Sequence, residues 1–420
     1  MKNAEKGLLD CPDNNGQTVF HWVLMSENPN TGVLDWLLKN AEKRLLEQVN
    51  KNGKTVFHIA VMSDNPNTEV LNWLLDNAEK GLINNVDNTG WTVFDNAVMS
   101  DNPNTEVLNW LLEHTKKGLL DYVDNEGFTV FLSAVSSVNP NVEVMNWLLE
   151  HVKNGLLNQT NEDGETVFYW AVFFNPNTVI LKWLLDNAKK GLLDQVTKNG
   201  WSVFHSALMS DNPNTEVLNW LLDNAEKGLI DNIDNNGWTV FHSAVMSANP
   251  NTDVLKWLLG HAKKGLLDCI DNDGYTVFHS VLTSANPNVE VLDWLLEHTK
   301  NDLLNQTNKD GETLFHCAVF SNNPNTKVLK WLWNYAEQKL LNYLDNYGYT
   351  VFHSAVSSAN PNVEVLDWLL CNTEKGLLDR SDNNGKTAFD YAIENNNTDI
   401  INWFLAHKPE NTVSTHKQVK

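Results

Sequence analysis

The chain holds 420 residues, 53 acidic and 30 basic, for a formal net charge of −23. Nucleic acid is gripped through Lys and Arg, yet the only arginines are Arg44 and Arg380 and no basic stripe exists; DNA, RNA and anionic membrane surfaces are excluded as favoured partners, and a basic protein is favoured. The four cysteines follow neither disulfide nor zinc spacing, and no apolar run approaches the roughly eighteen residues of a membrane span, so a reducing, cytosol-like compartment is expected.

In chain order, residues 1–15 (MKNAEKGLLDCPDNN) read as the tail of a repeat, with Ala4 in register with Ala41 and Gly7 with Gly81. From Gly16 a glycine recurs at Gly53, Gly90, Gly127, Gly164, Gly200, Gly237, Gly274, Gly311, Gly348 and Gly385, every 37 residues except for one step of 36. A period of that size marks a stack of small units rather than one globular core. Thr or Ser stands two residues after each glycine and Phe four after; His stands fifth in seven repeats, from His21 to His353. The run over 239–247 (TVFHSAVMS) predicts a short helix capped by Thr239. Asn249-Pro250-Asn251 cannot continue it, because Pro has no amide hydrogen and restricts its predecessor. Thr252-Asp253 then starts a second helix, whose Val-Leu-x-Trp-Leu-Leu pattern is an apolar stripe at helical spacing. Lys80, Lys227 and Lys264, followed by Gly81, Gly228 and Gly265, predict the last turn and stop of that helix. The polar stretch ending in Asn236-Gly237 predicts a hairpin-like finger. In the last repeat Glu394-Asn395-Asn396-Asn397 replaces the Asn-Pro-Asn loop, and residues 407–420 are polar and expected to be disordered.

The pattern Gly-x-Thr-Val-Phe-His-x-Ala resembles the Thr-Pro-Leu-His-x-Ala signature of ankyrin repeats, whose period is about 33 residues. The four extra residues are placed two between the helices and two after Leu-Leu, lengthening the second helix by about half a turn. The resemblance covers residues 16–406 eleven times over and implies an all-α, ankyrin-type α-solenoid of stacked helix-turn-helix units with finger-like loops. It implies a structural His that ties the Thr turn to its neighbour, and a concave, partner-facing surface at the base of the fingers.

Candidate residues are those that vary against this register. The His column is too widely spaced for one metal: successive repeats lie about 8–10 Å apart, and metal–nitrogen bonds are near 2 Å. The Trp column, from Trp36 to Trp403, reads as packing between layers. No catalytic set, cofactor motif or metal cluster stands out, so no enzyme is expected. The residue after each glycine is different: Gln17, Lys54, Trp91, Phe128, Glu165, Trp201, Trp238, Tyr275, Glu312, Tyr349 and Lys386. Six of these eleven are aromatic where the fold tolerates anything, and aromatic residues dominate binding hot spots. A second variable column (Met25, Met62, Met99, Ser136, Met209, Met246, Thr283, Phe320, Ser357) closes the first helix. The fifth repeat adds an apolar cluster of Tyr169, Trp170, Phe173 and Phe174. The favoured reading is a monomeric, non-catalytic protein-interaction scaffold using Trp91, Phe128, Trp201, Trp238, Tyr275 and Tyr349, with Phe173 and Phe174. The alternatives are a self-associating array, and the ankyrin targeting portion of a bacterial effector, which would act in the host cytosol.

Overall fold

The computed structural model describes residues 8–407 apart from Asn175 and Asn286. The first seven residues of the partial repeat, and the tail from 408 with its expected disorder, lie outside the described residues.

Each repeat folds as the Thr and Asn-Pro-Asn signals direct. Thr239 is extended (φ −99°, ψ 168°) and precedes the first helix, Val240–Met246. The loop Asn251 caps the second helix, Thr252–His261, its side-chain oxygen accepting the Val254 N–H at 2.9 Å. This pairing recurs through 22 helices, with no strand among the described residues. The inter-helix loop has five residues at 247–251 and three at 395–397, so the two extra residues predicted there are present.

The other two extra residues do not lengthen the second helix. It spans ten residues in every repeat, the last included. Its stop also lies earlier than Lys and Gly suggest. Thr68–Asn77 ends when Asn77 Nδ2 donates to the Trp73 carbonyl at 2.8 Å and Ala78 N–H to the Leu74 carbonyl at 2.8 Å. Two carbonyls that a helix end leaves unpaired are satisfied there. Lys80 and Gly81 belong to a separate 3-10 turn, Lys80–Asn84. In later repeats Gly228 and Gly265 precede that turn with φ of 94° and 101°.

The finger is a turn rather than a ladder. Asp234 N–H donates to the Trp238 carbonyl at 2.9 Å, and Asp234 Oδ1 accepts the N–H groups of Asn236 and Trp238 at 2.9 and 2.7 Å. Adjacent fingers join through the backbone, as Asn272 N–H to the Asn236 carbonyl at 2.7 Å. Gly237 is required twice: its φ is 86°, and a Cβ there would sit 2.8 Å from Asn272 N.

The chain divides into two compact blocks, residues 1–207 with 216–226, and residues 208–215 with 227–420. In each, first helices pack on the first helices of neighbouring repeats. The Phe four residues after the glycine is the centre of the core: Phe57, Phe94, Phe278, Phe315 and Phe352 are fully buried.

Candidate partner-binding face

The invariant columns are spent on the stack. Thr239 N–H donates to His242 Nδ1 at 3.2 Å, closing a capping box with the Thr hydroxyl. With Nδ1 accepting, the proton sits on Nε2. His58, His316 and His353 donate it to the carbonyls of Trp91, Tyr349 and Lys386 one repeat on, at 3.1–3.3 Å. Burial pushes His58, His279 and His316 down to about 4, so they are neutral. Asp95 replaces His in the third repeat. It takes the same cap, accepting Thr92 N–H at 2.9 Å, and adds the Ser133 hydroxyl at 3.0 Å; burial raises it to about 6.

The tryptophans pack between layers as expected, but they also form a hydrogen-bond ladder. The indole N–H of Trp73 donates to Asp35 and that of Trp110 to Asn72, at 2.7 and 2.8 Å; Trp331 donates to Asp293 at 2.6 Å. Where Lys256 occupies the acceptor position, the buried Trp294 Nε1 has no partner, because an ammonium cannot accept. Burial is not uniform: Trp331 is 5% exposed and Trp36 39%, while Trp257 and Trp368 are half-buried.

The variable column lies at the base of the fingers. Trp91, Phe128, Trp201, Trp238, Tyr275 and Tyr349 are all half-buried. Each aromatic position except Trp201 has its backbone held by an Asp four residues earlier: Asp87, Asp124, Asp234, Asp271 and Asp345 accept the N–H groups of Trp91, Phe128, Trp238, Tyr275 and Tyr349 at 2.7–3.0 Å. Where the column carries Glu the earlier residue is Asn, and Asn161 and Asn308 donate to Glu165 and Glu312 at 2.7 Å. This pairing is written in the sequence as a covariation across repeats and was missed there. The rings rest on their own repeat's histidine: Trp201 on His205, Trp238 on His242 and Tyr349 on His353, at 6.2, 6.4 and 5.2 Å. Trp238 Nε1 also donates to Asp271 at 3.0 Å.

The fifth-repeat cluster joins this column. Trp170 meets Phe128 edge-on at 4.8 Å and stacks on Phe174 at 5.1 Å; Phe173 lies 4.9 Å from Phe174. Phe173 is half-buried and Phe174 is 52% exposed.

Each block has a hollow at its finger bases. In the first block, 370 Å³ is bounded by Lys54, Asp87, Trp91, Asp124, Glu126 and Phe128. In the second, 350 Å³ is bounded by Glu312, Phe320, Asp345, Tyr347, Tyr349 and Ser357 among others. Phe320 and Ser357 come from the column that closes the first helix, so both variable columns contribute. A larger hollow of 620 Å³ beside the Asn-Pro-Asn loops has no aromatic lining. Its Asn288 and Asn325 are occupied capping second helices. Among the described residues no group of three or more His, Cys, Asp or Glu is placed to hold a metal ion, and no helix is long and apolar enough to cross a membrane.

Models of ankyrin repeats in three copies match residues 2–84, 20–121, 131–231, 175–264, 209–303 and 282–379, and a many-copy model matches 358–405. No curated protein matches the chain. Among solved structures, one chain of the complex between the Bd0816 predatory endopeptidase from Bdellovibrio bacteriovorus and immunity protein Bd3460 is 22% identical, over 51% of this chain and 100% of that one, with a TM-score of 0.38. The repeat register, the helix pairs and the family-model matches agree, and the chain belongs to the ankyrin repeat family.

Proposed function

We propose that the chain is a non-catalytic scaffold that binds a protein across the finger-base face, with Trp91, Phe128, Trp201, Trp238, Tyr275 and Tyr349 as anchors and Phe173 and Phe174 extending the patch. One observation carries this reading: half-buried aromatic rings recur at a column where the same backbone also accepts Gln17, Lys54, Glu165 and Lys386. The stack does not require rings there, and aromatic side chains on a pre-formed surface lose little entropy on binding. The partner is a protein with positive charge, since the net charge of −23 would steer it. The scaffold acts as a monomer, without cofactor, in a reducing compartment.

Panning a phage-displayed peptide library on the full chain, then titrating the selected peptides by calorimetry, tests the face. Trp91→Ala or Trp238→Ala is expected to weaken the selected peptides by about 2 kcal/mol, roughly thirtyfold, with the helical circular dichroism retained. Unchanged affinity in both variants would rule the face out.

A further inference from the structure

We propose that the hollow bounded by Glu312, Asp345, Tyr347, Tyr349 and Phe320 is a socket for an arginine side chain on a basic segment of the partner. The socket lies on the face proposed above and depends on that face binding protein.

Its walls are aromatic and exposed enough to receive a ligand. Tyr347 is 57% and Phe320 50% exposed, and the Tyr347 and Tyr349 rings lie 6.5 Å apart at 61°. Ring faces attract cations. A guanidinium, being planar, both stacks on a ring and forks to a carboxylate, which an ammonium cannot do. The carboxylates are already positioned. Asp345 Oδ1 accepts the N–H groups of Tyr347 and Tyr349 at 2.9 and 2.7 Å, and Glu312 Oε2 accepts Asn308 Nδ2 at 2.7 Å. Asp345 is thereby fixed through one oxygen, and Glu312 is held by Asn308 and by the Tyr275 side chain.

No lysine or arginine lines this hollow, and neither carboxylate belongs to an ion pair found among the described residues. Burial raises the pKa of both, with Asp310 adding to the effect on each. Buried Asp345 and half-buried Glu312 are costly to keep without a cation, and a partner's cation would relieve that cost.

The chain itself shows what this column attracts. In the first hollow Lys54 stands where Glu312 stands in the second, counted from the preceding glycine, and its Nζ lies 5.6 Å over the Trp91 ring. In the last repeat Lys386 Nζ lies 5.2 Å over Tyr391, paired with Glu394. The first hollow holds a cation of the chain beside Asp87 and Trp91; the second keeps the equivalent carboxylate and ring, Asp345 and Tyr349, with no lysine or arginine in its lining.

Calorimetric titration of the full chain at low salt with acetyl-(Gly-Arg)3-amide, acetyl-(Gly-Lys)3-amide and acetyl-(Gly-Gln)3-amide tests the socket. The arginine peptide is expected to bind at least about tenfold more tightly than the glutamine peptide, and more tightly than the lysine peptide. Glu312→Gln and Tyr349→Leu should each weaken it about tenfold. Glu297→Gln, which removes one exposed charge from the helix Val289–His298, should not. Glu312→Lys should close the socket as Lys54 closes the first hollow, and Lys54→Glu should raise the stoichiometry from one site to two. Equal weakening by Glu297→Gln and Glu312→Gln would reduce the binding to net charge and overturn the socket; equal affinity for lysine would overturn the arginine assignment. Should the arginine peptide fail while library-selected peptides still lose affinity on Trp238→Ala, the socket falls and the face stands. Should neither respond, both fall.

Discussion

The two hollows are the same place built twice. Lys54, Asp87, Trp91 and Glu126 of the first occupy the repeat positions of Glu312, Asp345, Tyr349 and Asn384 in the second. Asp87 and Asp345 do identical work, each holding the N–H groups two and four residues on. One difference lies in the column just after the glycine. Lys54 reaches the Trp91 ring and donates to Asn96 Oδ1 at 2.8 Å, so the first hollow carries a cation of its own beside Asp87, Asp124 and Glu126. Glu312 cannot do this and adds a second, half-buried acid. Solenoids separate these jobs well, since neighbouring repeats fix the frame and leave single surface positions free to change sign.

The largest effect that could break the comparison is on acid stability. A buried His with a lowered folded pKa stays neutral while the unfolded chain takes up protons, so its contribution is present above about pH 6.5 and is lost as pH falls toward 4. For His58, His279 and His316, lowered to about 4, each shift corresponds to roughly 3 kcal/mol at most. The second block also holds His242 and His353, both lowered by burial. The first block also holds His21, lowered by burial, and Asp95, raised to about 6, whose contribution is present below about pH 3.8 and lost as pH rises through 6. Opposing signs occur in both blocks, since burial also raises Glu165 in the first and Glu312 and Asp345 in the second, but the second block carries four lowered histidines, His242, His279, His316 and His353. Hydrogen exchange read by mass spectrometry at pH 7 and pH 5 should therefore show the second block losing more protection. Equal loss in the two blocks would contradict this account.

A middle-sized effect concerns the frame beneath the hollows. Phe94→Ala and Phe352→Ala empty equivalent, fully buried positions and should each cost about 3–5 kcal/mol in denaturant unfolding. Strongly unequal losses would show that the hollows do not rest on equivalent cores.

The smallest effects separate the hollows most sharply, because they differ in sign. Lys54→Ala removes an ammonium from a ring and from Asn96, and should cost about 1 kcal/mol. Glu312→Gln replaces a half-buried acid with a raised pKa by its neutral isostere. At pH 7 it should leave thermal stability unchanged or raise it by up to about 0.5 kcal/mol, the gain fading below the carboxylate's own pKa. A clear loss of stability at pH 7 would show that Glu312 is held by the stack and is not kept for a ligand.

Much of this fold is legible residue by residue. Thr239 and Asn251 announce helix starts because a short side chain places its oxygen within reach of the N–H groups that the first helical turn leaves unpaired. Gly237 announces a finger because its backbone must turn left-handed beside the next finger. The second-helix stop was misread because Lys80 and Gly81 are common end signals, whereas Asn77 ends the helix by folding back on the Trp73 carbonyl. The tryptophan ladder was not visible either: Trp73 and Asp35 are 38 residues apart, and only stacking brings them to 2.7 Å. Trp257 and Trp331 share a column in the sequence yet differ in exposure.

The sequence by itself determined the repeat, the helix pairs, the structural role of Thr and His, and which column is free to vary. Those follow from local rules that act within a few residues, repeated often enough to be unmistakable. Tertiary structure decided what the free column became. A residue such as Glu312 meets Asp345 and Tyr349 only across a repeat boundary, and whether a charge there is neutralised depends on which side chain the neighbouring repeat sends over the same ring.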